Sequence, residues 1–354
     1  MTRPRIVEWF ETLVKVRGSD LHLAAQRRPA VRAQGEVVPI PETQALTDAE
    51  LRGYLRELVT DAQWDAFRQG GDLDFAYEVP GIGRFRGNYL EQETGAGAVF
   101  RLVPEKIVPF EELGLPPVVG TLAELTSGLV LVTGPTGSGK STTLAAIVDL
   151  INRAHARHIV TIEDPLEFVH TSKKSVVSHR EVGRDTRSFS AALRAALRQD
   201  ADVVLVGELR DAETISLAIE GASMGVLVFG TLHTSSAAKT VDRVIGAFPA
   251  DQQDQARTSL ADSLSAVVSQ VLCRRAGGGR VAAHEILMRT SGVAGAIREG
   301  KTPMLHSIIG AGKGYGMQSM DDALAALVAA GAIDGREAYL KAADKARFRA
   351  AAAG

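Results

Sequence analysis

GLVLVTGPTGSGKSTTLAAIV, which spans residues 128–148, is the stretch that decides the fold. It opens with a short apolar run and closes with apolar residues at helical spacing. Between them, Gly134-Pro-Thr-Gly-Ser-Gly-Lys140-Ser141 fits the pattern G-x-x-x-x-G-K-[ST]. The pattern therefore lies between a predicted buried strand and a predicted amphipathic helix, which is the context of a phosphate-binding loop, or P-loop.

This loop predicts a site for Mg-ATP. Its glycines allow backbone N–H groups to turn towards phosphate oxygens, and the start of the following helix adds partial positive charge. We expect Lys140 to reach the β- and γ-phosphates and the Ser141 hydroxyl to bind Mg²⁺. The alternative, a chance glycine turn, leaves the flanking strand and helix unexplained. The expected nucleotide-binding residues are Gly134, Thr136, Gly137, Ser138, Gly139, Lys140, Ser141 and Thr142.

Composition narrows the class of protein. The chain has 354 residues, 45% hydrophobic and 23% charged, which is typical of a soluble globular protein of two domains. A formal net charge of −2 argues weakly against a nucleic-acid partner. The single cysteine, Cys273, excludes an internal disulfide and a four-thiolate zinc site, and we interpret it as a small buried side chain near a helix end.

No segment predicts membrane insertion. The first 20 residues carry charges throughout and lack the apolar core of a signal peptide. No window reaches the roughly 20 apolar residues that span a bilayer. We therefore expect a cytoplasmic protein that meets a membrane only through a partner.

The predicted organisation is an α+β N-terminal domain, residues 1–104, then a linker, 105–120, then an α/β domain, 121–354. In the first domain, helical spacing over 6–17 and a capping box at Thr47 and Glu50 predict helices, and a hairpin over 29–40 is expected to turn at Gln34–Gly35. Three further strands are predicted, with turns at 81–83 and 95–97. Closely spaced prolines in 104–120 exclude a continuous helix there.

The last domain alternates strands and helices. Short apolar runs at 128–133, 158–162, 203–206 and 226–230 are typical of strands buried on both faces of a parallel sheet. Beyond Pro249 the chain is expected to be mainly helical, with one strand at 281–287. The glycine run 310–316 (GAGKGYG) is expected to be a loop without a site.

Acids and a histidine follow several of these strands, where α/β sheets place their ligands. VTIEDPLEF puts Glu163 at a strand end, either as a group that orients water or holds Mg²⁺, or as an ordinary turn acid. DVVLVGELRD resembles a Walker B strand in which Gly207 replaces the usual Asp, leaving Glu208 to act on the metal or its waters; a solvated acid is the alternative. His233 in GTLHT either senses the γ-phosphate or is structural.

Arginines on the N-terminal strands have two interpretations. Arg84, Arg86 and Arg101 form either a solvated strand face or arginine fingers for the γ-phosphate of a neighbouring subunit.

Together these segments resemble the type IV pilus retraction ATPases, the PilT-like motors of the secretion-ATPase superfamily. The likeness covers nearly the whole chain and includes GSDLHLAA at 18–25, GRFRGNY at 83–89, GAGAVFR at 95–101, the P-loop, TIEDPLEF, VVLVGELRD and GTLHT. One departure is 292–299, GVAGAIRE, where these motors have Ala-Ile-Arg-Asn-Leu-Ile-Arg-Glu. The single cysteine also distinguishes the chain from the extension ATPases, which usually carry a tetracysteine zinc motif.

The resemblance implies a PAS-like N-terminal domain, a RecA-like P-loop domain with C-terminal helices, and a homohexamer. It implies that Glu163 polarises water, that Glu208 lies near Mg²⁺, and that His233 relays the nucleotide state. Arg86 and Arg101 match the family's paired arginines that act on the neighbouring subunit.

The expected function is a hexameric motor that hydrolyses Mg-ATP to power pilus retraction in twitching motility. Its expected partners are an inner-membrane platform protein and other pilus ATPases, with no nucleic acid. The alternatives are an accessory retraction paralogue, an ATPase of a related secretion system, a nucleic-acid translocase of RecA-like fold, and a nucleotide-gated scaffold that does not hydrolyse ATP.

Overall fold

The computed structural model describes residues 4–33, 36–103 and 106–353. The chain divides into two compact units, 1–106 and 107–354. The expected hairpin turn at Gln34–Gly35 lies outside the described residues, although the strands on either side of it are present.

The N-terminal unit is an antiparallel sheet covered by helices. In its described part the strand order is β3-β2-β1-β6-β5-β4, and every adjacent pair is antiparallel. The elements are α1 (Val7–Lys15), β1 (Asp20–Ala24), β2 (Ala30–Ala33), β3 (Glu36–Pro39), α2 (Asp48–Arg56), α3 (Asp61–Gly70), β4 (Asp72–Val79), β5 (Gly83–Gln92) and β6 (Gly95–Val103).

Local chemistry explains the ends of these elements. The capping box predicted at Thr47 and Glu50 begins α2. The prediction of a turn at 95–97 was wrong, because Gly95 already begins β6 and the turn is at 93–94. At Gly95 a β-carbon would lie 2.3 Å from the Asp48 carboxylate, which accepts a hydrogen bond of 2.7 Å from the Ala96 N–H. This glycine therefore lets the α2 carboxylate approach the strand.

The second unit is a mostly parallel sheet with helices on both faces. In the described part its strand order is β13-β12-β7-β11-β10-β8-β9, with only the β12–β13 pair antiparallel. Its strands are β7 (Gly128–Thr133), β8 (His158–Glu163), β9 (Val176–Glu181), β10 (Val203–Val206), β11 (Leu227–Leu232), β12 (Leu264–Arg274) and β13 (Arg280–Met288). Its helices are α4 (Pro117–Gly120), α5 (Lys140–Ala154), α6 (Phe189–Ala196), α7 (Ala212–Ser223), α8 (Ala237–Ile245), α9 (Gln253–Ser263), α10 (Ser291–Arg298), α11 (Met304–Ala311), α12 (Met320–Ala329), α13 (Gly335–Lys341) and α14 (Lys345–Ala353).

The segment interpreted as a linker, 105–120, is mostly packed against the second unit. It carries a 3₁₀ turn at Phe110–Glu112 and the short helix α4, and another 3₁₀ turn follows at Thr121–Glu124. Val119 and Leu122 are fully buried in the same cluster as Val130 of β7. The prolines do prevent a long helix, but apolar side chains between them still join the core.

Three expectations for the C-terminal half were wrong. β12 lies within the region expected to be mainly helical, and Cys273 is buried on this strand, not near a helix end. The glycine run 310–316 lies in the end of α11 and a 3₁₀ turn at Gly312–Tyr315. Across the described residues, no helix is both long enough and apolar enough to cross a membrane.

Candidate active site

The P-loop joins the fully buried strand β7 to α5. Gly134, Gly137 and Gly139 have φ of 148°, 76° and 88°, a region that favours glycine. At Gly134 a β-carbon would lie 2.3 Å from the main-chain oxygen of Gln270, so only glycine fits there. The backbone therefore curls tightly at the carboxyl end of β7 and presents the first turn of α5.

The remaining P-loop residues differ in exposure. Thr136 is exposed, and Ser141 and Thr142 are half-buried in the first turn of α5. The Ser138 side chain is buried, and within the described residues its hydroxyl has no hydrogen-bond partner. The loop thus combines unpaired polar groups with a helix N-terminus, as anion-binding sites do.

Lys140 folds back over the loop. Its Nζ donates to the carbonyl oxygens of Gly134 at 2.9 Å and Pro135 at 3.2 Å, and the residue is only 8% exposed. Burial lowers the pKa of Lys140, and the negative charges of Glu208 and Glu167 oppose that effect. The loop therefore places a buried cation at the N-terminus of α5, and both the cation and the helix terminus favour a polyanion.

His233 links this lysine to the end of β10. Its Nδ1 lies 3.4 Å from Lys140 Nζ, and its Nε2 lies 3.4 Å from Glu208 Oε1. An ammonium only donates, so Nδ1 accepts and the contacts favour the neutral imidazole with its proton on Nε2, facing Glu208. Arg210 Nε contacts the other Glu208 oxygen at 2.8 Å. The structure therefore connects Lys140, His233, Glu208 and Arg210 in one line of polar contacts.

Glu163 ends β8, the neighbour of β10. The residue is 9% exposed and its Oε2 accepts from the Glu167 N–H at 3.0 Å. Burial raises the pKa of Glu163 to about 7, while hydrogen bonding from the Glu167 N–H and the Thr161 hydroxyl opposes the rise. A carboxyl with a pKa near neutrality is able to exchange protons at physiological pH.

Gly207 precedes Glu208 where the Walker B pattern has an acid. Its N–H donates to the Ile162 carbonyl at 2.8 Å, and a β-carbon at this position would lie 3.4 Å from the Glu163 Cα. The site therefore has little room for a side chain between the ends of β8 and β10.

Gln270 was missed from the sequence because β12 was missed. Its side-chain amide donates to the Ser138 carbonyl at 2.6 Å, and its oxygen accepts from the Thr143 hydroxyl at 2.9 Å. The residue is 1% exposed. Gln270 thus fixes the middle of the P-loop and the first turns of α5 from the neighbouring strand.

Arg86 and Arg101 belong to the N-terminal unit. They are directly opposite each other on β5 and β6, and both are exposed. Arg101 Nε donates to Asp20 Oδ1 at 2.8 Å. Burial raises the pKa of Asp20, but hydrogen bonds from Ser19 and Arg101 outweigh it, and the net pKa is below its usual value. The GSDLHL segment therefore supplies the acid that holds one of the two arginines.

The family model for type II/IV secretion system proteins matches residues 9–304. The chain belongs to this family. It is 49% identical over 337 residues to the type IV pilus retraction ATPase PilT of Pseudomonas aeruginosa, covering 95% of this chain and 98% of the relative. It is 37% identical over 329 residues to the type IV pilus ATPase PilU of the same organism, covering 92% and 86%.

A solved structure shares the whole fold of this type II/IV secretion system protein. The pilus retraction motor PilT with bound ADP superposes with a TM-score of 0.92 at 39% identity, covering 98% of this chain and 100% of the other. The resemblance drawn from the motifs and the predicted fold class are both confirmed.

Proposed function

We propose that this chain is an ATPase that powers the retraction of type IV pili. The observation that carries the proposal is the line of contacts from the P-loop Lys140 through His233 to Glu208, in a chain that matches a retraction ATPase over almost its full length. Phosphoryl transfer is catalysed mainly by positioning and charge stabilisation, and these groups supply both.

In this proposal the P-loop holds the triphosphate of ATP. The N–H groups of Gly134 and Ser138 already donate to main-chain carbonyls. The free N–H groups at the start of α5, in residues 139–142, would therefore face the phosphate oxygens. Lys140 would leave the carbonyls of Gly134 and Pro135 to contact the β- and γ-phosphates. Gln270 keeps the loop in this shape from behind.

Mg²⁺ fits the polar groups near the loop. Ser141 and Glu208 would hold it, Glu208 through a water molecule. Among the described residues no cluster of three or more His, Cys, Asp or Glu side chains is arranged to hold a metal alone, which agrees with an ion that takes much of its coordination from phosphates and water. When bound, the ion neutralises charge on the phosphates.

Glu163 is the residue that we expect to polarise the attacking water. Its raised pKa, about 7, leaves a substantial ionised fraction at neutral pH and makes it basic enough to accept a proton. Its nearly complete burial also limits exchange of that proton with bulk solvent.

His233 is placed to report the nucleotide state to Glu208. If Lys140 moves to the phosphates, His233 loses its Nδ1 contact, and its hold on Glu208 changes. Loss of the γ-phosphate on hydrolysis would reverse the change.

The working assembly in this proposal is a homohexamer. Arg86 and Arg101 are exposed and opposite each other on adjacent strands, and in this proposal they contact the γ-phosphate of a neighbouring subunit. The motor would operate in the cytoplasm, where ATP is supplied, and would act on an inner-membrane platform protein, with other pilus ATPases as candidate partners and no nucleic acid.

An accessory retraction role or a related secretion system is the second candidate. It is favoured by 292–299, which forms α10 with Gly292 and Gly295 in place of the larger residues of the retraction motif. The higher identity to PilT than to PilU supports the main motor role.

Gene deletion with complementation tests the proposal. We expect the deletion strain to keep or accumulate surface pili and to lose twitching, and we expect the parental gene but not Lys140→Ala to restore movement. Absent pili would contradict retraction, and DNA-stimulated turnover that weakens with salt would favour a nucleic-acid translocase. Absence of ATP hydrolysis by the parental protein would favour a scaffold, whereas unchanged turnover in Glu208→Ala would remove the role of Glu208.

A further inference from the structure

His179 lies on β9, the edge strand of the second sheet, which pairs with the strand that ends at Glu163. In the parallel pair β8–β9, His179 is directly beside Thr161, two residues before Glu163. Residues two apart on a strand share a face, so the side chains of Thr161 and Glu163 are neighbours. His179 Nδ1 lies 2.8 Å from Thr161 Oγ1, and Thr161 is fully buried.

The His179 ring is held from its other side by His170. The His170 N–H donates to His179 Nε2 at 3.1 Å, and the His170 carbonyl oxygen lies at the same distance from that nitrogen. The rings stack with centroids 6.0 Å apart and planes 20° apart. Burial first, and His179 second, lower the pKa of His170 to about 4, so its own ring is neutral at physiological pH.

Hydrogen-bond directions give this chain of groups an order. A hydroxyl has one proton, and the Thr161 hydroxyl, on the same face of β8 as Glu163, is the side-chain donor that lowers the pKa of that carboxyl against the effect of burial. The Thr161 oxygen must then accept from His179 Nδ1–H, which leaves His179 Nε2 to accept the His170 N–H. In this order every donor of the hydrogen-bonded series has an acceptor, and each group donates to the next one in the direction of the Glu163 carboxylate.

We propose that His179 is a positioning residue for the reaction: it fixes the Thr161 hydroxyl, which in turn orients the Glu163 carboxylate. The inference rests on the role of Glu163 in the proposed function. Other charged groups near the chain are Glu167 and Glu181 beside Glu163, and Asp149 and Lys173 beside His170.

The same two strands offer a matched control. At the other end of β8, His158 Nε2 lies 3.1 Å from the Ser178 hydroxyl of β9. This histidine–hydroxyl pair ties the strands together in the same way, but it is five residues from Glu163, about 16 Å along a strand.

The experiment measures steady-state ATP hydrolysis and its pH profile in the full-length protein. The variants are Thr161→Val, Thr161→Ser, His179→Leu, their double variant Thr161→Val with His179→Leu, and the control His158→Leu. We expect Thr161→Val and His179→Leu each to lower kcat on the order of tenfold with little change in KM. The first variant removes the hydroxyl that faces the carboxylate, and the second removes the group that holds this hydroxyl in place.

Two further results are expected. The acid limb of the kcat profile moves to higher pH in Thr161→Val, because the ionised carboxylate loses a donor, and Thr161→Ser restores both rate and profile. The double variant is no slower than Thr161→Val alone, because both changes break one chain. His158→Leu leaves kcat and the profile unchanged.

The proposal is overturned if Thr161→Val or His179→Leu keeps the parental kcat and pH profile, if their losses multiply in the double variant, or if His158→Leu produces the same loss. Thermal melting of each variant identifies failure to fold, and in that case Thr161→Ser, which preserves the hydroxyl, decides the matter through its pH profile. Glu163→Gln separates the proposed role of Glu163 from the positioning role of His179. Parental turnover in Glu163→Gln would remove the role of Glu163 itself. An inactive Glu163→Gln together with an unaffected Thr161→Val would remove only the positioning role.

Discussion

Glu163→Gln is expected to stabilise the folded protein while it removes activity. Burial raises the pKa of the Glu163 carboxyl from 4.5 to about 7, so the folded state resists ionisation that the unfolded chain undergoes freely. Below pH 4.5 the carboxyl is protonated in both states, so its burial does not lower the free energy of unfolding through ionisation. Between pH 4.5 and pH 7 the carboxyl is ionised in the unfolded chain but not in the folded protein, so the free energy of unfolding falls by about 1.4 kcal/mol for each pH unit. Above pH 7 the carboxyl is ionised in both states, and the total loss levels off at about 3 kcal/mol.

Glutamine keeps the acceptor for the Glu167 N–H and cannot ionise. We therefore expect Glu163→Gln to exceed the parent in stability by about 1–3 kcal/mol at pH 8 and to match it near pH 4.5, with the lower figure reflecting imperfect pairing of the new amide N–H groups. Turnover should fall by at least about 100-fold at pH 8, where the parental carboxyl is ionised.

The assay is the melting temperature of the nucleotide-free parent and variant, measured from pH 4.5 to pH 8. The difference between variant and parent should widen steadily with pH. A difference that stays constant over this range, or a variant less stable than the parent at pH 8, would refute the assignment of a raised pKa to this carboxyl. His158→Gln, at the start of the same strand, serves as the control for substitution in β8.

Three further perturbations follow from the contacts. Gln270→Leu removes the amide that donates to the Ser138 carbonyl, so it should destabilise the protein by about 1–3 kcal/mol. It should also weaken nucleotide binding, measured by calorimetry, by about tenfold, and unchanged affinity would contradict the role of Gln270 in fixing the P-loop. Asp20→Asn leaves Arg101 without its charged partner, so kcat should fall several-fold with nucleotide affinity unchanged, whereas an equal loss of affinity would point to a folding defect. His233→Ala should bind nucleotide within about threefold of the parent but turn over at least tenfold more slowly, and parental turnover would remove its relay role.

The strands that carry the P-loop and its facing acids were predictable because they are uninterrupted apolar runs. β7 and β10 are fully buried along their whole length, and apart from Thr133 at the end of β7 they contain only apolar residues and glycine. The glycine pattern after β7 then fixes the position of the loop.

β12 and β9 were not predictable in this way. β12 is interrupted by Ser269 and Gln270, which are buried only because other polar groups pair with them: Ser269 with the Thr133 hydroxyl at 2.8 Å, and Gln270 with the P-loop. The strand also follows α9 with no glycine or proline between them. β9 is an edge strand of mixed polarity, and the partners of its histidine lie on β8 and in the segment that follows β8.

The roles of Arg86 and Arg101 could be proposed only from a family resemblance. The structure adds a local reason for Arg101, the buried carboxylate of Asp20, which is two residues into the GSDLHL segment. Sequence periodicity contains no signal for such a pair, because the two residues are 81 positions apart.

The central claim, that residues 134–141 hold the triphosphate, is tested most directly by the ATP hydrolysis rate of Lys140→Ala. We predict a rate at least about 100-fold below that of the parent, with an unchanged melting temperature. The matched control is Lys313→Ala in the other glycine-rich lysine segment, where the ammonium is exposed and lies 3.7 Å from Asp322; it should hydrolyse ATP at the parental rate. Parental turnover by Lys140→Ala would contradict the account.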